Sequence, residues 1–179
     1  MKIVRVWVPI AVAVTLLCGL FYAVVQQNYR QTLNDPQVQI AEDVALLLRS
    51  GAKPTDLAPQ QQIDIAASLS PWFAIYDANG VPVVSSGLLN GAMPQPPQGV
   101  FAEVLTRSRE NRLSWQPQAD VRQAIVVVET NDGFVVAGRN MRETERRISQ
   151  VGIMVALGWA ATLCATLIAA WLVTLIKRP

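Results

Sequence analysis

Two uncharged apolar runs, residues 6–25 and residues 151–176, bracket the chain. As helices rising ~1.5 Å per residue they would measure roughly 30 Å and 39 Å. A bilayer's hydrocarbon core is ~30 Å thick, so the first run matches it and the second crosses it with tilt or overhang. The lead-in to the second run, residues 140–150, holds no glycine or proline, and Glu143 stands four residues before Arg147, a spacing that supports a helix. The pattern predicts one uninterrupted rod from about Asn140 into the second apolar run.

Between these runs the period changes several times. Residues 26–33 are polar but unbroken and extend the first helix. Asp35 and Pro36 then suit a cap and a first helical position. The next helix reaches about Ser50, with Val38, Ala41, Val44 or Ala45, and Leu48 inward, and Gly51 as its stop. Residues 58–69 read as a second helix opening with Pro59 and burying Ile63, Ala66, Ala67 and Leu69. Residues 72–77 read as a strand, 78–80 as a turn and 81–86 as the returning strand, where Pro82 predicts an edge or a distortion. The proline- and glycine-rich stretch 87–99 is expected to be a surface loop. Residues 100–109 form a helix with Val100, Val104 and Leu105 as its inward candidates. A short strand at 112–116 follows, then the strongest strand at 121–130, apolar on both faces at its centre. Asn131, Asp132 and Gly133 signal a tight turn, and residues 134–139 return.

Charge adds topology to this outline. All 13 acidic residues fall between the apolar runs, against 11 of the 15 basic ones, so the middle is −2 and the short tails are +4. Basic tails favour both termini in the cytoplasm and the middle outside, in an inner (cell) membrane. Arg139, Arg142, Arg146 and Arg147 crowd the other side of the second run, but long segments translocate largely regardless of charge. A cleaved signal peptide is the rival reading of the N-terminus. Residues 6–25 are longer than a signal core, no small-x-small site follows, and Cys18 lacks a small residue before it. The expected layout is a tail at 1–5, a span at 6–25, an extracytoplasmic domain at 26–150, a span at 151–176 and a tail at 177–179. Both cysteines, Cys18 and Cys164, lie in the spans, so no disulfide is expected in the domain. The overall basicity comes from the tails and does not indicate nucleic acid.

The order of elements, the hairpin Trp72-Phe-Ala-Ile-Tyr-Asp-Ala-Asn-Gly80 and the exit Val136-Ala-Gly-Arg-Asn-Met-Arg-Glu-Thr-Glu145 resemble the extracytoplasmic PAS-like, Cache-type sensor region of bacterial histidine kinases. The resemblance implies an α+β fold: two transmembrane helices flanking a mixed α/β domain with a central antiparallel sheet, a long N-terminal helix and a small-molecule pocket. The sequence departs from the kinase pattern after Lys177, Arg178 and Pro179, where no HAMP linker, phosphoacceptor helix or ATP-binding domain follows. Output is therefore expected from another chain, or from a longer version of this one.

Candidate chemistry is sparse. The chain has no histidine, which removes the commonest general base and metal ligand and any Ser-His-Asp triad. There is no glycine-rich phosphate loop, and Glu42, Asp43, Glu143 and Glu145 have spacings typical of solvated helix faces. No enzymatic activity, metal or cofactor is expected. A ligand site has more support. Trp72, Ala74 and Tyr76 share one strand face, with Phe73, Ile75 and Asp77 on the other. Trp115, Arg122, Glu129 and Arg139 stand at strand positions where an aromatic could wall a site and an arginine could grip a carboxylate. Against this, Trp72 and Tyr76 also suit a core, Arg122 a solvated strand end, and Asp77 the cap of its own turn.

The spans carry small residues every four positions: Ala11, Thr15, Gly19 and Ala23 in the first, and Gly152, Ala156, Ala160 and Cys164 in the second. Small side chains let backbones approach in lipid, within the pair, in a homodimer or against a partner helix. In the lead-in, Met141, Thr144, Ile148 and Val151 have the spacing of a short coiled-coil seam. The expectation is a membrane-anchored sensory module, two-component in type. Its extracytoplasmic domain binds a small molecule or partner and passes the change through the second span to a kinase or regulator. The alternative is an accessory membrane protein that docks onto a complex and senses nothing.

Overall fold

The computed structural model describes residues 2–32, 35–107 and 110–176. The expected restart at Asn34 and the tail at 177–179 lie outside these residues, as does the side chain of the proposed cap, Asp35. The helices are α1 (Lys2–Thr32), α2 (Asp35–Arg49), α3 (Gln98–Arg107) and α4 (Arg142–Ile176). The strands are β1 (Ile63–Asp64), β2 (Trp72–Asp77), β3 (Pro82–Ser85), β4 (Gly87–Leu88), β5 (Glu110–Gln118), β6 (Val121–Glu129) and β7 (Gly133–Asn140). The fold is α+β: two long apolar helices flank, in sequence, a domain built on a five-stranded antiparallel sheet. The chain divides into two compact units, one of Met1–Arg30 with Glu145–Pro179 and the other of Gln31–Thr144.

In the sheet unit the strand order is β3-β2-β7-β6-β5. Pro82 sits on the edge strand β3, as its missing N–H requires. Both faces of the sheet are covered, and this explains the doubly apolar β6, in which Ile125, Val126 and Val127 are fully buried. On one face α3 lays Val100, Phe101 and Val104 over Trp72, Ala74, Tyr76, Ile125, Val127, Phe134 and Val136. Phe101 bridges Tyr76 and Phe134 with ring centroids 5.1 and 5.0 Å apart. On the other face α2 sets Ala41, Val44 and Ala45 against Ile75, Val126, Val128, Val135 and Ala137. Leu105, one of the inward candidates of α3, is exposed and Phe101 holds the inward position instead.

Residues 58–69 form no α-helix. A 3-10 turn, Pro54–Leu57, precedes them, and the stretch itself is strand and turn. The Ile63 and Ile65 amides donate to Ser86 and Leu88 carbonyls, both at 2.9 Å, which makes β1 a parallel partner of β4. The Asp64 carboxylate accepts the Ala66 amide (2.9 Å), closing a tight turn in competition with helix. Ile65 is the buried residue here, whereas Ala67 and Leu69 are exposed. A helix of this length has little intrinsic stability, so pairing across the fold decides the outcome.

The stretch 87–99 is also less superficial than expected. Gly87, Pro94 and Pro96 are buried, and the Tyr76 hydroxyl donates to the Pro94 carbonyl at 2.6 Å. A Cβ on Gly87 would lie 2.4 Å from Ile65 Cγ2, so only glycine lets β4 lie this close to Ile65.

In the other unit, α1 and α4 are each long and apolar enough to cross a membrane. They run antiparallel: Trp7 Nε1 donates to Thr166 Oγ1 (3.2 Å), Trp159 Nε1 donates to Thr15 Oγ1 (2.9 Å), and Tyr22 lies beside Gly152. The half-buried positions of α1 include Trp7, Ala11, Val14, Cys18, Tyr22 and Val25, spaced by three and four, with Ile3, Gln26 and Tyr29 towards the ends. Thr15, Gly19 and Ala23 are instead exposed, as are Ala156 and Ala160 on α4, while Gly152 is half-buried. A strict four-residue repeat rotates by about 40° per step on a helix of ~3.6 residues per turn, so it drifts off a straight contact line. Thr15 and Gly19 border, with Cys18, Tyr22, Gly152, Val155, Ala156 and Trp159, an open groove of about 390 Å³.

Candidate functional site at the exit of the sheet

The central strand β7 passes into α4 with a single residue, Met141, between them. The Met141 amide donates to the Arg122 carbonyl (2.8 Å), carrying the ladder with β6 to the last residue before the helix. Asn140 then begins the helix: its side-chain Oδ1 accepts the Arg142 amide at 2.9 Å, one of the donors a helix start leaves unpaired.

The same carboxamide faces inward. Asn140 is buried, and its Nδ2 donates to the carbonyls of Ile65 (3.3 Å) and Ala66 (3.2 Å). Gln123, fully buried on β6, donates from Nε2 to Ile65 O (2.8 Å) and accepts at Oε1 from the Trp72 indole (3.1 Å). Arg142 Nη2 reaches the Ala67 carbonyl (3.0 Å) and Arg139 Nε the Leu69 carbonyl (3.1 Å). Side chains from the ends of β6 and β7 and from the first residue of α4 thus hold four carbonyls of one five-residue segment. Each such bond contributes about 0.5–1.5 kcal/mol net, more with a charged donor. A continuous path runs from the Trp72 ring through Gln123, Ile65 O and Asn140 to the Arg142 amide.

Trp72 is fixed by the absence of a side chain beneath it. A Cβ at Gly138 would lie 2.5 Å from Trp72 Cζ2 and 2.8 Å from its Nε1. The indole lies flat against β7 only because position 138 is glycine, and that places its N–H on Gln123.

The six residues considered for ligand binding are dispersed. Trp72, Tyr76 and Trp115 belong to the core cluster under α3. Arg122 is exposed, Glu129 is half-buried and its backbone carbonyl accepts Arg49 Nη2 (2.8 Å), and Arg139 is taken up by Leu69. Tyr76 also borders a cleft of about 180 Å³ with Asp77, Leu48 and Asp132. Burial pushes the Tyr76 hydroxyl well above its usual pKa, so it serves as a donor. Among the described residues, no three of His, Cys, Asp and Glu gather as a metal site would need. Along the lead-in, Met141 is half-buried just ahead of the helix, with the Ser114 hydroxyl 3.7 Å from its sulfur. Thr144, Ile148 and Val151 are half-buried positions of α4 itself.

Sequence reasoning missed Gln123 and Asn140. Gln123 had a signal, a lone amide at an inward position of an apolar strand, and Asn140 stood where a helix cap belongs. Their shared partner, the backbone of residues 65–69, is more than fifty residues away and carries no side-chain signature. No protein-family model matches the chain, and no match is found among curated proteins or solved structures.

Proposed function

We propose that the chain is a two-span membrane module whose middle domain lies outside the cytoplasm and relays its conformational state through α4 to a signalling partner. The partner is a kinase or regulator of the two-component type, and the stimulus is a small molecule or a protein. The observation that carries this reading is the joint itself: the central strand enters α4 through one residue, under a closed set of hydrogen bonds. A one-residue connection transmits displacement that a longer loop would absorb, and a ligand biases it by its differential affinity for the two states. The central antiparallel sheet and the long first helix agree with the PAS-like, Cache-type resemblance, and the basic tails support cytoplasmic termini.

Reporter fusions near residue 90 and at the C-terminus test the topology. An outside reporter at the first and an inside one at the second are expected, and the reverse pattern ends the reading. Four glycines inserted after Asn140 are expected to abolish partner output while leaving the sheet domain folded; unchanged output would remove the relay. The accessory reading draws on Leu46 and Leu47, adjacent apolar side chains that are 64% and 46% exposed on α2. Under that reading, charged substitutions at both leucines dissociate a complex and the glycine insertion has no effect.

A further inference from the structure

We propose that residues 65–69 act as a latch on α4, and that lifting this strap is the switching event of the domain. The inference rests on the relay reading and names its input element. Beyond Ile65, whose side chain is buried in the core and whose amide donates to Leu88 O (2.9 Å), the strap has little hold of its own. Apart from Ile65 its residues are exposed or half-buried, and its internal bonds are those of a single turn, from the Ala67 and Ser68 amides to Asp64 O (3.2 and 2.8 Å). From Ala66 to Leu69 its place is set by the side chains that grip its carbonyls, which puts these four residues among the low-stability segments that open locally, hinged on the buried Ile65.

Asn140 makes the coupling specific. Its Nδ2 holds the strap and its Oδ1 holds the first helical amide, so one rigid carboxamide plane serves both. With the strap down, the plane is fixed and α4 is capped. With residues 66–69 lifted, Nδ2 loses the Ala66 carbonyl and keeps only the longer bond to Ile65 O (3.3 Å), the plane is free to turn, and the Arg142 amide loses its partner. Strap opening and uncapping are thus one event, and a ligand or partner that prefers the lifted strap loosens the start of the helix leading into the second span.

Hydrogen exchange of the full chain in detergent micelles tests this with surface variants that leave Asn140 and Arg142 in place. Arg139→Gln releases Leu69 O, and Asp64→Ala removes the carboxylate that closes the turn. Both are expected to speed exchange at Ala67 and Ser68 by about tenfold, the factor carried by one well-made hydrogen bond. Exchange at Arg142 should rise by a similar factor, and amides of β2 and β6 should stay unchanged. Faster exchange in the strap with Arg142 unaltered, or no change in either, overturns the latch. The measurement needs no signalling output, so a negative result leaves the relay to stand or fall on the glycine insertion.

Discussion

Replacing Gly138 by alanine adds one methyl group at the most crowded point of the joint. The new Cβ would stand 2.5 Å from Cζ2, 2.6 Å from Cε2 and 2.8 Å from Nε1 of Trp72. Carbon atoms settle at about 3.5–4.0 Å, so the overlap is near 1 Å. The ring has no retreat: Trp72 is 1% exposed, and a Cβ at Gly87 would already meet its Cβ and Cγ at 3.1 Å. Overpacking of this kind costs about 1–3 kcal/mol. Tilting the indole also breaks its bond to Gln123, about 1 kcal/mol more. The expected loss is therefore about 2–4 kcal/mol, or on the order of 10–20 °C in the melting temperature of a domain this size. Urea or thermal unfolding of the full chain in detergent, followed by circular dichroism, reads it. Two controls fix the cause. Gly99→Ala, inside α3 with open space around its Cβ, should stabilise by about 0.5 kcal/mol through helix propensity. In a Trp72→Leu background, Gly138→Ala should cost at least about 1 kcal/mol less than in the parent. A Gly138→Ala variant within about 0.5 kcal/mol of the parent, or a cost undiminished beside Leu at position 72, would refute the packing argument.

Gln37, on the first turn of α2, is fully buried, and neither amide atom has a hydrogen-bond partner among the described residues. Gln37→Leu keeps the volume and removes the unpaired dipole, so it should stabilise by about 1–3 kcal/mol; a destabilised variant would mean the amide is bonded. Tyr76 should make the domain sensitive to alkali. Its folded pKa is raised by burial, so its contribution is intact below pH ~10, where the unfolded hydroxyl ionises, and falls by about 1.4 kcal/mol per pH unit above it. Tyr76→Phe should flatten that fall while lowering stability at neutral pH by leaving Pro94 O unpaired, and equal slopes for the two proteins would count against it. In the helix pair, Trp159→Phe removes the indole bond to Thr15 and should weaken association of α1 and α4 by about 0.6–2 kcal/mol, read by cysteine cross-linking. Unaltered cross-linking would mean the bond contributes nothing in lipid.

Much of this protein is written locally. The two apolar runs, the helix from 35 to 49, the hairpin after Trp72, the edge strand marked by Pro82 and the paired β6 and β7 each follow from a period and a turn a few residues long. The absence of a break between Asn140 and Ile176 was equally plain, and with it the single helix that leaves the sheet. What the sequence could not show is where distant backbone goes. Residues 58–69 carry helical spacing, yet their amides and carbonyls find better partners in β4, Gln123, Asn140, Arg139 and Arg142. The aromatic residues that could have walled a ligand site instead fill the core, because the bare backbone at Gly138 and Gly87 admits the Trp72 ring. The two long apolar helices show the same division: their length follows from composition, but which residues meet depends on how two helices of ~3.6 residues per turn align. Short-range periodicity selects the elements, whereas the buried carboxamides at the joint acquire their role only when the fold brings a remote strip of carbonyls against them.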